Sequence, residues 1–485
     1  MSISRRGFLG SLGAAALGCS GGAKEAPLNV LFIASDDLTS TTLGCYGHPL
    51  VKSPHIDSLA TRGVRFENAY CQFPFCGPSR ASLMTGLRPN TTGITTNGNV
   101  DFRATRPDTV TLPQMFKNND YRSMRVGKLF HMGVPGGVGS MRHQDPPSWD
   151  VSISPPGDED KSIGEGGDPT PDYRNGLKMQ WVRTADASGQ ADSAAADTAI
   201  ELLEETGGDP FFLGLGFVRP HVPFVAPAEF FDMYPLEDIE LAINPPDDLD
   251  DIPTPAKNLR SFLWNHMGMS EEDQRVSLQG YYASTSFMDQ QVGRVLDTVE
   301  RLGQADRTVV VFFGDHGWHL GEHTHWQKMS LMEESAKAPL IIAAPGARGA
   351  GQSTKALAEF IDFYPTLADL CALEPPDDLD GVSLRPILDD PTTSVKDAAF
   401  TQIEWAHSDD PRSTAGGASN TDDRIYGRTM RTDRYRYIHW AGDGGGEELY
   451  DHDNDPGEFT NLAGSPEHAE ILSQLRVRLD AGLPS

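Results

Sequence analysis

The chain has 485 residues, 38% of them hydrophobic and 8% aromatic, enough for one large core and a smaller second domain rather than a disordered polymer. Asp and Glu outnumber Lys and Arg by 69 to 40, a formal charge of −29. That balance excludes a nucleic-acid binder, which needs a basic face. It also means that an anionic ligand must be captured by a local pocket of cations against long-range repulsion.

The N-terminus reads as an address. Ser4-Arg5-Arg6-Gly7-Phe8-Leu9 resembles a twin-arginine export signal, and the apolar stretch from Leu9 to Gly18 behind it is too short to span a bilayer. Cys19 follows Ala16-Leu17-Gly18, close to a lipoprotein cleavage site, although a bulkier residue than Ala16 is usual there. Residues 1–26 are therefore expected to be an export signal, with lipid anchoring at Cys19 an even alternative, and the mature protein to be periplasmic or attached to the cell envelope. Cys45, Cys71, Cys76 and Cys371 complete the cysteines. An exported chain could oxidise two of them, but apart from Cys76 they read best as small buried apolar residues.

Four apolar runs end in polar residues or turns. Asn29 to Ser35 ends at Asp36-Asp37, Pro210 to Val218 ends before His221, Thr308 to Gly314 ends at Asp315-His316, and Pro339 to Pro345 is the fourth. Continuous runs of this length suit strands buried on both faces. Helical patterns at Ala191 to Glu205 and Tyr281 to Leu302 lie between them. The alternation predicts an α/β sandwich around a mainly parallel sheet, in which ligands collect beyond the C-terminal strand ends. Ser152 to Tyr173 and Asn244 to Pro255 read as surface loops, and Gly416-Gly417 and Gly444-Gly445-Gly446 as loops too. Pro375 to Gly381 and Leu388 to Thr393 approach a boundary. A catalytic domain over 27–390 is followed by a smaller α+β domain over 391–485, with a short antiparallel sheet that includes Asp433 to Trp440 and a closing helix at Glu467 to Leu479.

Cys76-Gly77-Pro78-Ser79-Arg80 is the most informative segment. Pro78 suits the first turn of a helix, which puts residue 76 at the N-terminus, where free N–H groups favour an anion. Arg80 falls on the same face four residues on. A helix start with an incidental Cys explains the pentapeptide alone about equally well. Asp36-Asp37 and Asp315 at two strand ends, with an oxygen from residue 76, have the make-up of a hard-cation site.

Cys-x-Pro-Ser-Arg followed by Ala81-Ser82-Leu83-Met84-Thr85-Gly86 resembles the signature of the type I, formylglycine-dependent sulfatases of the alkaline phosphatase superfamily. The resemblance implies that Cys76 is oxidised by a formylglycine-generating enzyme, and that a hydroxyl of the hydrated aldehyde attacks sulfur. It implies one Ca2+ held by Asp36, Asp37, residue 76, Asp315 and His316, the last being Asn in many relatives. Gly127-Lys128-Leu129-Phe130-His131 matches a family motif, which implies that Lys128 steadies the sulfate or the diol and that His131 takes the second diol proton. His131 alone would be read as a core histidine. Arg219-Pro220-His221-Val222-Pro223-Phe224 implies that His221 protonates the leaving alcohol or contacts the substrate. Lys328 in His325-Trp326-Gln327-Lys328 matches a lysine that contacts the sulfate. Trp318, with His319, His323 and Trp326 nearby, suggests a wall for stacking on a sugar ring; a second metal among these histidines is a weaker alternative.

More narrowly, Gly44-Cys45-Tyr46-Gly47, Pro220 to Phe224, Tyr234-Pro235-Leu236, Asp289 to Arg294 and Asp315 to Trp318 are similar to the iduronate-2-sulfatase branch. That branch acts on 2-O-sulfated uronate in a sulfated oligosaccharide, with His221 and Lys328 facing the carboxylate. Glu448 to Asp451 and Asp455 to Leu462 resemble the family's closing segment, as structural turns. Val134 to Arg183 and Asp397 to Thr429 do not match, so an algal polysaccharide sulfate stays open as the substrate. Phosphonate monoester hydrolases share the Cys motif, and phosphonate or phosphate ester hydrolysis is the competing activity.

Overall fold

The computed structural model describes residues 26–98, 100–157, 165–169, 179–257, 265–406, 424–442 and 444–483. The export-signal segment, Cys19 and Gly416-Gly417 lie outside the described residues. An eight-stranded sheet forms the centre. Its strands are β1 (Asn29–Asp36), β2 (Val64–Tyr70), β3 (Arg122–Gly127), β4 (Val151–Ile153), β5 (Phe211–Pro220), β6 (Thr308–Gly314), β7 (Leu340–Ala343) and β8 (Ser353–Glu359). Their spatial order is β8-β2-β7-β6-β1-β5-β3-β4. All neighbours are parallel except β7, which is antiparallel to both β2 and β6.

The unbroken apolar runs follow from this architecture. Successive side chains of a strand point to opposite faces, and both faces here are covered. In β1, Val30, Phe32 and Ala34 enter one core with Phe212, Val311 and Phe313. Leu31 and Ile33 enter the other with Leu213, Leu215 and Phe312. Each fully buried large side chain contributes roughly 1.5–3 kcal/mol. Helices α1 (Cys76–Thr85), α2 (Ala191–Glu205) and α3 (Glu271–Arg301) flank the sheet, with Leu83 and Met84 of α1 in the first core and Met288, Val292 and Val295 of α3 in the second. Helix α3 starts ten residues before the expected Tyr281. Its first turns lack apolar periodicity, and a capping box between Ser270 and Asp273 sets the start.

The C-terminal part is a four-stranded antiparallel sheet of β9 (Ala399–Ala406), β10 (Arg424–Arg431), β11 (Tyr435–Ala441) and β12 (Gly446–Asp451). Helix α4 (Ala469–Gly482) packs Leu472, Leu475 and Leu479 against Met430, Tyr437 and Leu449. The glycines before β12 form the turn of the β11–β12 hairpin, and Gly446 opens the strand itself. Two ionic clusters join this sheet to the main one. Glu333 and Glu458 flank the buried Arg436, and Tyr70 Oη donates to Glu333 at 2.9 Å. Arg88 and Lys396 meet Glu359 at 2.8 and 2.9 Å. No helix among the described residues is long and apolar enough to cross a membrane.

Several segments that carry the family resemblance are structural. Asp289 accepts the N–H groups of His55 and Ile56, capping the helix Pro54–Ala60. Tyr46 Oη donates to the carbonyls of Phe66 or Leu340 across the β2–β7 seam. Glu458, in the closing segment, is 1% exposed and belongs to the first ionic cluster.

Candidate active site

The polar residues gather at one end of the central strands. Asp36 ends β1, Asp37 follows it, and Asp315 and His316 follow β6, the parallel neighbour of β1. Parallel pairing brings these two strand ends side by side. One carboxylate oxygen from each of Asp36, Asp37 and Asp315 lies within 4.8 Å of the others, all three residues buried. Asp37 has φ 63°, a left-handed conformation that costs a non-glycine residue about 1–2 kcal/mol. Its N–H donates to Asp315 Oδ1 at 3.1 Å.

Cys76 is the first residue of α1. The preceding Phe75 provides no side-chain cap; Asn97, from a loop twenty residues on, accepts the Gly77 N–H at 2.7 Å instead. Sequence reasoning missed Asn97, because nothing in Thr96-Asn97-Gly98 marks it as a cap for a distant helix. Cys76 Sγ lies 3.4 Å from His316 Nε2, 3.2 Å from Lys328 Nζ and 3.9 Å from Asp37 Oδ1. Burial pushes the Cys76 thiol well above its ordinary value, so as a cysteine it is an inert nucleophile.

Three buried cations answer the three carboxylates. Arg80 Nε donates to Asp315 Oδ2 at 2.8 Å, its Nη2 reaches Asp36 Oδ1 at 3.4 Å, and its Nη1 holds the carbonyls of Lys128 and Leu129. Lys128 pairs with Asp36 and Lys328 with Asp37. Lys128 reaches the site because Gly127 takes φ 75°, and a Cβ there would lie 2.0 Å from the Gly216 carbonyl oxygen of β5. Burial alone would raise Asp36, but the Lys128 ammonium and the Arg80 guanidinium hold it well below the carboxylate range. At Asp37 burial prevails over Lys328 and pushes the carboxyl up to about 6. Lys328 stays charged: burial opposes this, and Asp37 and its neighbours outweigh burial.

The histidines are neutral. Burial, with Lys128 beside it, pushes His131 down to about 2, and its Nδ1 is buried without a hydrogen-bond partner. Burial, with Lys328 adding to it, pushes His221 down to about 3. His221 Nδ1 is 2.6 Å from the Val222 carbonyl, and Nε2 is 3.6 Å from Asp37 Oδ2. His316 Nδ1 donates to the Gly317 carbonyl at 2.9 Å, which leaves the Nε2 lone pair facing Asp37 and residue 76. A ring nitrogen fixed in this way is competent as a metal ligand.

This donor set fits a hard divalent cation. Three buried carboxylates converge, Asp37 Oδ2 is buried without a hydrogen-bond partner, and Asp37, Cys76 and His316 offer a second converging trio. Oxygen-rich donors of this kind suit Ca2+.

One expected role does not hold. Trp318 is 1% exposed and offers no face to a sugar ring. It stacks on Tyr281, with centroids 6.5 Å apart, and its other neighbour is the Lys328 ammonium, 5.2 Å from the ring. The half-buried aromatic next to the site is Phe75, with Lys328 Nζ 5.9 Å from its ring. His319, His323 and His325 form no converging metal trio among the described residues: His323 pairs with Asp248 at 3.0 Å and His319 Nε2 with Ser330 Oγ at 2.8 Å.

A profile of the sulfatase family matches residues 28–372. The chain belongs to the sulfatase family. A second profile, the C-terminal region of N-sulphoglucosamine sulphohydrolase, matches residues 321–482. This sulfatase is 33% identical to the iduronate 2-sulfatase of Mus musculus over 520 residues, 93% of each chain. It is 34% identical to a sulfatase of Formosa agariphila, over 93% of this chain and 86% of that one. Among solved structures, a phosphonate monoester hydrolase from Silicibacter pomeroyi superposes with a TM-score of 0.74 at 26% identity, covering 93% and 94% of the two chains. The sulfatase is thus a sulfuric ester hydrolase of the alkaline phosphatase superfamily, related to glycan sulfatases.

Proposed function

We propose that this sulfatase removes sulfate from uronate-containing glycans, with a 2-O-sulfated uronate as its substrate, using a formylglycine made from Cys76 and one Ca2+. The observation that carries the reading is the position of residue 76. It opens a buried helix and faces, within hydrogen-bonding range, both the Lys328 ammonium and the His316 imidazole, which lies 3.3 Å from Asp37 Oδ1 and 3.7 Å from Asp315 Oδ1. Cys76 Sγ stands in for an oxygen of the hydrated aldehyde, which would supply one hydroxyl to attack sulfur and a second through which sulfate is later expelled. Asp36, Asp37, Asp315, His316 and residue 76 would hold the metal, whose double charge would polarise the sulfate oxygens.

The chain's own groups account for the rest. Arg80 fixes Asp315 and Asp36. Lys128 and Lys328 supply positive charge where sulfate oxygens gather, in a buried setting that strengthens it. His131 is neutral and can accept the second hydroxyl's proton. His221 is neutral in the free protein, so donation to a leaving alcohol needs a proton gained on binding. A bound anion next to it acts in that direction. This confined positive charge explains how a chain of charge −29 accepts an acidic sugar.

The export-like N-terminus supports a periplasmic or envelope location, with Cys19 as a candidate lipid anchor and a formylglycine-generating enzyme as maturation partner. The competing reading, phosphonate ester hydrolysis, is favoured by the structural match to the Silicibacter pomeroyi enzyme. The test is sulfate release from an oligosaccharide ending in 2-sulfated iduronate, by protein whose aldehyde is verified by mass spectrometry, beside a phosphonate monoester under the same conditions. Faster sulfate release, lost in Cys76→Ala, supports the proposal. Faster phosphonate hydrolysis transfers the assignment, and absence of both points to another polysaccharide sulfate.

A further inference from the structure

Tyr281 lies within α3, is fully buried, and touches three parts of the site. Its Oη donates to the Asp37 carbonyl at 2.7 Å and accepts the Thr39 N–H at 3.0 Å. Both bonds lie on the C-terminal side of the residue whose backbone is left-handed: one holds the Asp37–Leu38 peptide and the other the Leu38–Thr39 peptide. Its ring stacks on Trp318 at 6.5 Å and 23°. It also meets Phe224 edge-on at 5.6 Å, three residues beyond His221. Trp318 in turn underlies the Lys328 ammonium, and Lys328 returns to the Asp37 carboxylate. The contacts therefore close a ring: Asp37 backbone, Tyr281, Trp318, Lys328, Asp37 side chain.

We propose that Tyr281 is a positioning residue, holding the Asp37 carboxylate for the metal through its hydroxyl and the Lys328 ammonium for the sulfate through Trp318. The proposal rests on the metal-dependent reading above. The physical reason is that a left-handed Asp persists only where its surroundings over-determine it. The Tyr281 hydroxyl supplies one of those constraints at the Asp37 carbonyl and fixes the following peptide through Thr39, without touching a carboxylate oxygen. Without it the peptide after Asp37 can relax, and the carboxylate rotates with the backbone. The indole performs a separate task. Attraction of the ammonium to the ring face holds Lys328 over Trp318, so removing the indole should disturb the sulfate contact and leave the carboxylates in place. A core tyrosine with a purely packing role would show neither dependence, because phenylalanine fills the same space.

The test uses the full aldehyde-bearing chain and two substitutions. In Tyr281→Phe, calorimetric titration with Ca2+ should show Kd raised about tenfold, the effect expected on removing a group that orients a metal ligand. The unfolding midpoint of the metal-free chain should fall modestly, because the Asp37 carbonyl and the Thr39 N–H lose a buried partner, and kcat should recover as Ca2+ is raised. In Trp318→Leu, the Ca2+ Kd should stay near wild type while KM for the sulfate ester rises about tenfold. A Tyr281→Phe chain that binds Ca2+ as tightly as wild type overturns the proposal, as does a wild-type chain that binds no Ca2+. The titration needs no substrate. A wild-type chain that binds Ca2+ but releases no sulfate would sink the substrate reading alone, and Tyr281→Phe would still decide this one.

Discussion

Cys76 and His316, 240 residues apart in the chain, meet with Sγ 3.4 Å from Nε2. The other imidazole nitrogen is committed to the Gly317 carbonyl, so the lone pair of Nε2 can only face the site. Burial keeps the ring below its ordinary pKa although Asp315 opposes this, and neutral imidazole is the form that ligates. His316→Ala is expected to weaken Ca2+ binding by about tenfold or more. His316→Asn should restore part of it, because an amide oxygen suits a hard cation. Titration calorimetry of the two variants separates these outcomes, and a wild-type affinity in His316→Ala would remove His316 from the ligand set.

Replacing Cys76 tests the nucleophile. Cys76→Ala should fold normally, since it removes one buried atom from a helix otherwise held by Leu83 and Met84. It should lose sulfate release by roughly three orders of magnitude or more. Mass spectrometry of the wild-type peptide containing residue 76 should show the aldehyde. A wild-type peptide left as cysteine that still turns over would refute covalent catalysis at this position.

Lys128 and Asp36 form a pair in which both side chains are buried. Removing one partner of such a pair leaves an uncompensated charge and costs about 3–5 kcal/mol. Lys128→Met should therefore lower the urea midpoint as well as the activity. Adding Asp36→Asn should recover stability and leave the activity lost. If the double variant is as unstable as the single one, the cost lies in packing and not in charge.

Glu359 gives an acid-dependent stability prediction away from the reacting residues. Burial alone would raise its pKa, but Arg88 and Lys396 prevail and hold it at about 2, against an ordinary 4.5. A carboxylate depressed in the folded state adds stability above its unfolded pKa, and loses it as pH falls from about 4.5 towards 2. Glu359→Gln should be less stable than wild type at pH 6, and the gap should narrow by pH 3. Urea unfolding at the two pH values checks this; a constant gap would mean that the ion pairs contribute nothing.

Much of the main fold was readable from local pattern. The run Val30 to Ala34 is apolar in both alternating phases, which only a strand covered on both faces requires. Ala191 to Glu205 carries its helix in its composition. Apolar spacing places the start of α3 too late because its first turns are polar; the capping signal of Ser270 and Asp273 marks the true start. Trp318 was misread because an aromatic next to catalytic residues looks the same in sequence whether it lines a cleft or supports a lysine. Its burial comes from packing with Tyr281 and other residues on distant elements.

By itself the sequence determined the Cys76 motif of the sulfatase family, the acidic strand ends and the α/β class, since each is written in residues close together in the chain. The tertiary structure decided which cation meets which carboxylate, that Asn97 caps the helix of Cys76, and that Tyr281 closes a ring through Trp318 and Lys328 back to Asp37. Those pairings join residues separated by up to hundreds of positions. No local propensity encodes them: they exist only once parallel strand pairing has brought the ends of β1, β5 and β6 to the same edge of one sheet.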